Sequence, residues 1–165
     1  GMNKKMVVYH GGTEKIEKPI CKIGRMNLDF GQGFYLTNIK EQAVAWANNI
    51  SRNRRLPAVL NRYILDRAAI ISNAKCKIFH TYDEEWLDFI VANRTGMYTA
   101  NEYDYVEGGV ANDRVVDTIH LYIAGLMDLK STLKELSKHQ PNNQMCLLNQ
   151  CITDKYLVYD GTEEL

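Results

Sequence analysis

Short strand-like runs and helical stripes follow one another along this chain without a repeating strand–helix unit, and no other feature limits its fold as strongly. A doubly wound parallel sheet needs strand and helix to alternate regularly. Here residues 6–9, 59–65, 69–71, 77–79, 103–106, 144–148 and 156–159 read as short strands, and residues 29–37 as a glycine-punctuated turn feeding another. Asn38, with Glu41 three residues later, reads as a capping box. It opens a helix with the apolar stripe Ile39, Ala43, Trp46, Ala47 and Ile50, fading in the polar run Ser51-Arg52-Asn53-Arg54-Arg55 before Pro57. Thr81 and Glu84 form a second such pair, ahead of a helix that turns Trp86, Leu87 and Ile90 inward and ends near Asn93-Arg94. Asn112 caps a helix carrying Val115, Val116, Ile119 and Ile123, which Gly125 interrupts. Leu126, Leu129, Leu133 and Leu136 mark the next helix, closed by Pro141. This irregular order predicts an α+β fold of short antiparallel and mixed strands flanked by helices.

At 165 residues the chain has room for one domain, residues 2–165, with Gly1 ahead of Met2 reading as the scar of an expression tag. Lys plus Arg and Asp plus Glu both number 20, so the net charge is zero, which weighs against a dedicated nucleic-acid binder. A content of 45% hydrophobic and 24% charged residues fits a globular fold and excludes a disordered one. No apolar run reaches the roughly 18 residues that span a bilayer, and the start is too short and polar for a signal peptide. Cys21, Cys76, Cys146 and Cys151 form no C-x-x-C pair and have no histidine at zinc spacing, so they read as small hydrophobes of a reducing compartment and no metal site is expected. The expectation is a cytoplasmic domain with no membrane partner. Ten tyrosines against four phenylalanines and two tryptophans suggest that some phenols line a cleft.

Several motifs fail on context. Asp29-Phe30-Gly31 spells the kinase metal-binding triplet, but no H-R-D loop precedes it. His10-Gly11-Gly12 has no G-x-S-x-G elbow to serve, and Gly31-x-Gly33 lacks the third glycine of a dinucleotide fingerprint. The basic cluster Arg52, Arg54, Arg55, Arg62 and Arg67 reads first as a solvated face and second as a patch for a phosphate-bearing ligand.

Three segments fit one chemistry together: Tyr9-His10-Gly11-Gly12 at a strand end, Phe30-Gly31-x-Gly33-Phe34-Tyr35-Leu36-Thr37, and Asn142-x-Gln144 entering a late strand. This set resembles the ADP-ribosyltransferase superfamily, whose catalytic set is a His on the first strand, a Tyr on the second and a Glu or variant on a later one. The likeness is greatest to an uncharacterised bacterial branch, a domain-of-unknown-function family with Y-H-G-G, D-F-G-x-G-F-Y-x-T and a W-x-x-F-[IV] helix ending in N-R. The last is matched from Trp86 through Phe89-Ile90 to Asn93-Arg94.

The resemblance implies a split β-core and NAD as substrate. The activity implied is an NAD-dependent ADP-ribosyltransferase of the glycosyltransferase class. It would move ADP-ribose to a protein or nucleic-acid acceptor, or hydrolyse NAD, in the manner of a bacterial toxin or conflict-system effector with an antitoxin-like partner. It assigns His10, Tyr35 and Gln144 as catalytic. Tyr35 would face the cationic nicotinamide ring, a contact worth roughly 0.5–2 kcal/mol, with Phe34 on the opposite side of the strand. Gly11 would offer its N–H and C=O to the nicotinamide amide, and His10 would bond a ribose hydroxyl. Gly12, Phe34, Thr37, Arg25 and Arg94 complete the cofactor-binding set, the two arginines as local phosphate donors. Gln144 bonds ribose but brings no charge where many members place a carboxylate. The alternative is therefore a catalytically inactive nucleotide-binding or interaction module on the same fold. Gln150 is the substitute if the strand register differs, and Glu102, Asp104 and Glu107 are carboxylates within reach of a fold-back.

Overall fold

The computed structural model describes residues 5–111, 113–139 and 142–165. The expectations for Gly1, for Asn112 as a cap and for Pro141 as a stop lie outside the described residues. Among these, seven strands build two sheets, accompanied by six α-helices and two short 3₁₀ turns. The first strand, β1 (Met6–Gly12), runs through the two glycines that were expected to end it, because Gly11 and Gly12 pair with Leu60 and Val59. Strand β2 (Phe34–Leu36) follows the glycine turn. Helix α1 (Lys40–Arg54) is capped by Ile39 and not by Asn38. The Thr37 hydroxyl takes the Ile39 N–H at 3.1 Å, and the Asn38 side chain is engaged by Asn143.

Strand β3 (Val59–Leu65) matches its expected bounds. Residues 69–71 form no strand. They lie in α2 (Arg67–Asn73), because Asp66 caps it by accepting the Ala69 N–H. The β-branched Ile70-Ile71 pair had masked that cap signal. Strand β4 (Cys76–Ile78) leads to α3 (Glu84–Arg94). Its cap is Asp83, which accepts the Trp86 N–H at 2.9 Å and also the Thr81 hydroxyl. Strand β5 (Tyr105–Gly108), α4 (Asp113–Ile123) and α5 (Leu129–Leu136) come next, with Leu126 left exposed ahead of α5. Strand β6 (Gln144–Leu147) is followed by an unexpected helix, α6 (Gln150–Tyr156), capped by the Asn149 side chain, and β7 (Leu157–Glu164) ends the chain.

One sheet has the order β1-β3-β7 and is antiparallel; the other has the order β2-β6-β5-β4, antiparallel except where β4 runs parallel to β5. A bridge between Tyr9 and Thr37 joins them, with reciprocal N–H···O bonds of 2.8 and 3.0 Å. Val8, Tyr63 and Leu65 of the first sheet pack on Leu36, Tyr105, Met145 and Leu147 of the second. The far face of the second sheet, with Val106 and Cys146, is covered by Trp86, Leu87 and Ile90 of α3 and by Val115, Ile119 and Leu136. Strand β6 is therefore buried on both faces, which is why it reads as a continuous run and not as an alternation. The observed class is α+β. None of the helices among the described residues is long and apolar enough to cross a membrane.

Candidate functional site

A cleft lies beside the bridge between the sheets. Its volume, about 330 Å³, is at the low end of the roughly 300–1,000 Å³ of small-molecule sites. His10 and Gly11 of β1, Tyr35 of β2 and Gln144 of β6 line it. Tyr35 pairs with Cys146, so Gln144, two residues earlier on β6, lies on the same face and diagonally next to it. Strand parity thus brings residues 35 and 144 together, and the Tyr9–Thr37 bridge sets His10 of the other sheet beside them.

Each of these side chains is held differently. The His10 ring stacks on Phe34, with centroids 4.4 Å apart and planes 21° apart. Its Nδ1 lies 2.7 Å from the Tyr35 carbonyl oxygen, which accepts only. Nδ1 therefore carries the proton, and Nε2 of the neutral ring is left as an acceptor. Burial pushes the His10 pKa below the ordinary 6.5 against smaller raising effects of that bond and of Glu14. The Tyr35 hydroxyl donates to Gly31 O at 2.6 Å and accepts the Phe30 N–H at 3.0 Å, which pins the ring to the glycine turn. Burial raises the Tyr35 pKa well above its usual value, so the phenol stays neutral. Gln144 is 4% exposed and its Nε2 has no hydrogen-bond partner among the described residues. An orphaned buried amide donor costs about 1–3 kcal/mol, so an unpaired one in a cleft wall points to a ligand that pairs it.

Tyr9 spends its N–H and C=O on Thr37, away from β3. In an antiparallel ladder the backbone groups of residues two apart point the same way, so Gly11 presents its own off the end of that bridge, towards the cleft. Gly11 is also demanded by packing: a Cβ there would lie 2.0 Å from Ala43 O of α1.

The remaining lining residues escaped the motif reading in part. Leu28, Trp46 and Ile50 make the apolar wall, and Asp29 and Arg94 supply its one charged pair. Asp29 is 8% exposed; its Oδ1 accepts Arg94 Nε and Nη2, both at 2.6 Å, and its Oδ2 takes the Ala111 N–H at 3.3 Å. Burial raises the Asp29 pKa, and Arg94 opposes that rise. Trp46 was visible in the helical stripe, but periodicity does not say whether an apolar face meets protein or a cavity.

His10, Tyr35, Gln144, Gly11 and Arg94 therefore come together, and the other expected residues do not line the cleft. Phe34 faces the opposite side, under His10, and Thr37 is fully buried with its hydroxyl on Asn143 O. Gly12 lies beyond the cleft lining and Arg25 is exposed. Gln150 is used up on Pro19, Cys21 and Asp154. Glu107 is bound by Arg67 at 2.7 and 2.8 Å and by the Tyr105 hydroxyl at 2.5 Å, beside a separate polar cavity. Asp104 is tied to Lys75 and Asn149, and Glu102 is exposed. The basic cluster is dispersed as well, since Arg62 pairs with Asp160 and Arg67 with Glu107. Among the described residues no group of three His, Cys, Asp or Glu is placed to hold a metal.

A family model described as protein of unknown function (DUF3990) matches residues 6–159. The chain belongs to the DUF3990 family. The matched span includes every residue that lines the cleft, so the cleft lies within the DUF3990 domain. Searches of the curated proteins and of the solved structures found no match.

The lowered His10 pKa gives this DUF3990 chain a testable pH dependence. As pH falls through about 6.5, the unfolded chain takes up the His10 proton before the folded one does, so stability declines until the folded pKa is passed. Melting temperatures between pH 8 and 5.5 should fall less in His10→Gln than in the unaltered protein. An equal fall in both would contradict the assignment.

Proposed function

We propose that this α+β arrangement is an ADP-ribosyltransferase-like fold and that the cleft binds the nicotinamide–ribose end of NAD as a substrate. The observation that carries this reading is the convergence of His10, Tyr35 and the unpartnered Gln144 amide, from three strands of two sheets, on one mostly apolar cleft. The Tyr35 ring, fixed at its hydroxyl, offers a flat face to a cationic ring. Trp46 supplies a second aromatic wall. Gly11 offers a backbone donor and acceptor for the carboxamide. His10 Nε2 accepts from a ribose hydroxyl, and Gln144 bonds the ribose. Arg94 faces the first phosphate. A cleft of about 330 Å³ encloses part of a dinucleotide, so the rest of NAD extends beyond it. These contacts act mainly by positioning. The reaction is cleavage of the nicotinamide–ribose bond through an oxocarbenium-like state, as in glycoside cleavage, with ADP-ribose passed to water or to a protein or nucleic-acid acceptor.

Gln144, with no charge, favours a second reading, an inactive module that binds the nucleotide without turnover. Chromatographic assay of nicotinamide separates the two. Stoichiometric or greater release from NAD, reduced in His10→Ala, supports the enzyme. Binding with no release supports the module.

A further inference from the structure

The charged pair in the cleft wall carries an inference that rests on the NAD reading and goes beyond it. Gln144 leaves the ribose without a carboxylate on β6, yet the cleft contains one in Asp29. That residue directly precedes Phe30 and Gly31, whose N–H and C=O hold the Tyr35 hydroxyl, so carboxylate and phenol belong to one pinned turn. Arg94 occupies Oδ1 twice, while among the described residues Oδ2 takes only the long bond from Ala111. A carboxylate accepts about four bonds and a guanidinium donates five, so both members keep free capacity. Both line the cavity. Arg94 does not fully offset the burial of Asp29, whose pKa stays raised; a second positive charge would offset it further.

We propose that the Asp29–Arg94 pair is a receptor for a zwitterionic ligand, with Arg94 taking the diphosphate and Asp29 facing the positive charge of the nicotinamide and of the reacting ribose. Asp29 then supplies the charge that Gln144 lacks. In the step itself the bond from ribose C1′ to the ring nitrogen breaks and its electron pair stays on nitrogen, releasing neutral nicotinamide. The positive charge passes to C1′ and the ring oxygen, opposite the Asp29 carboxylate. An acceptor oxygen or nitrogen, or water, then bonds C1′ and loses its proton to solvent. In a mostly apolar wall a fixed charge at this point is worth more than in water, and loss of one such stabiliser costs about 10²–10³ in rate.

Asp29→Asn tests this, because the amide oxygen still accepts from Arg94 while the charge is gone. Nicotinamide release should fall about 10²-fold. ADP-ribose, which has the diphosphate but no cationic ring, should bind as tightly or up to about tenfold more tightly, because Arg94 has lost its counter-ion. Adding Gln144→Glu to that variant should recover at least about tenfold in rate by restoring a carboxylate. If the variant does not fold, the unaltered protein still decides: cationic nicotinamide riboside should bind at least about tenfold more tightly than its uncharged reduced form. Unchanged release in Asp29→Asn, joint loss of ADP-ribose affinity and melting temperature, or equal binding of the two ribosides would overturn the role of Asp29 alone. Failure of the unaltered protein to bind NAD would overturn the underlying reading with it.

Discussion

Gly11→Ala is expected to destabilise the protein by about 3 kcal/mol or more, a fall in melting temperature of roughly 6–12 °C. The added methyl would lie 2.0 Å from Ala43 O, 2.9 Å from Ala47 N and 3.0 Å from Ala43 C. All three are backbone atoms of α1, so no rotamer change relieves the clash, and the helix must lift from β1. That helix carries Trp46 and Ile50, so the cleft should open and ligand affinity fall with stability. Gly12→Ala is the control. Its nearest neighbour is His10 Nε2 at 3.7 Å, ordinary contact, and its melting temperature should stay close to that of the unaltered protein. Equal melting temperatures for both variants would show that α1 does not seat on β1 as described.

Gln144→Leu should move stability and activity in opposite directions. Its Nε2 is buried without a partner, a cost of about 1–3 kcal/mol that an apolar side chain of similar size removes. Chemical denaturation should therefore find the variant as stable as the unaltered protein or about 1 kcal/mol more so. If the cleft takes NAD as proposed, nicotinamide release should fall by about 10²-fold, through loss of the proposed bond from this residue to the ribose. A group kept for packing behaves otherwise: its replacement lowers stability, and any loss of activity follows from that. Lower stability with unchanged release would remove Gln144 from the site.

The parts of the site that were legible in the sequence are those set by strand parity and short motifs. His10, Tyr35 and Gln144 sit in segments whose alternation fixes which side each residue faces, and the register of β2 on β6 then aligns two of them. What was hidden depends on distant pairing. Asp29 reads as a turn residue until Arg94, 65 positions later, closes on it from the end of α3. Gly11 reads as a place for a ligand to approach; the close approach is made by α1 as well. Local signals also competed. Thr81 looked like the cap of α3, but Asp83 sits one position before the first helical residue and takes the Trp86 N–H. Residues 69–71 looked like a strand because side-chain branching spoke for one, while Asp66 had already committed the backbone to a helix.

This cleft is proposed to receive the nicotinamide end of NAD. Isothermal titration calorimetry with NAD raised to millimolar concentration tests it most directly. Saturable binding at one site per chain, weakened by His10→Ala and competed by ADP-ribose, is the expected result. No heat of binding at millimolar NAD, with the protein folded, would contradict it.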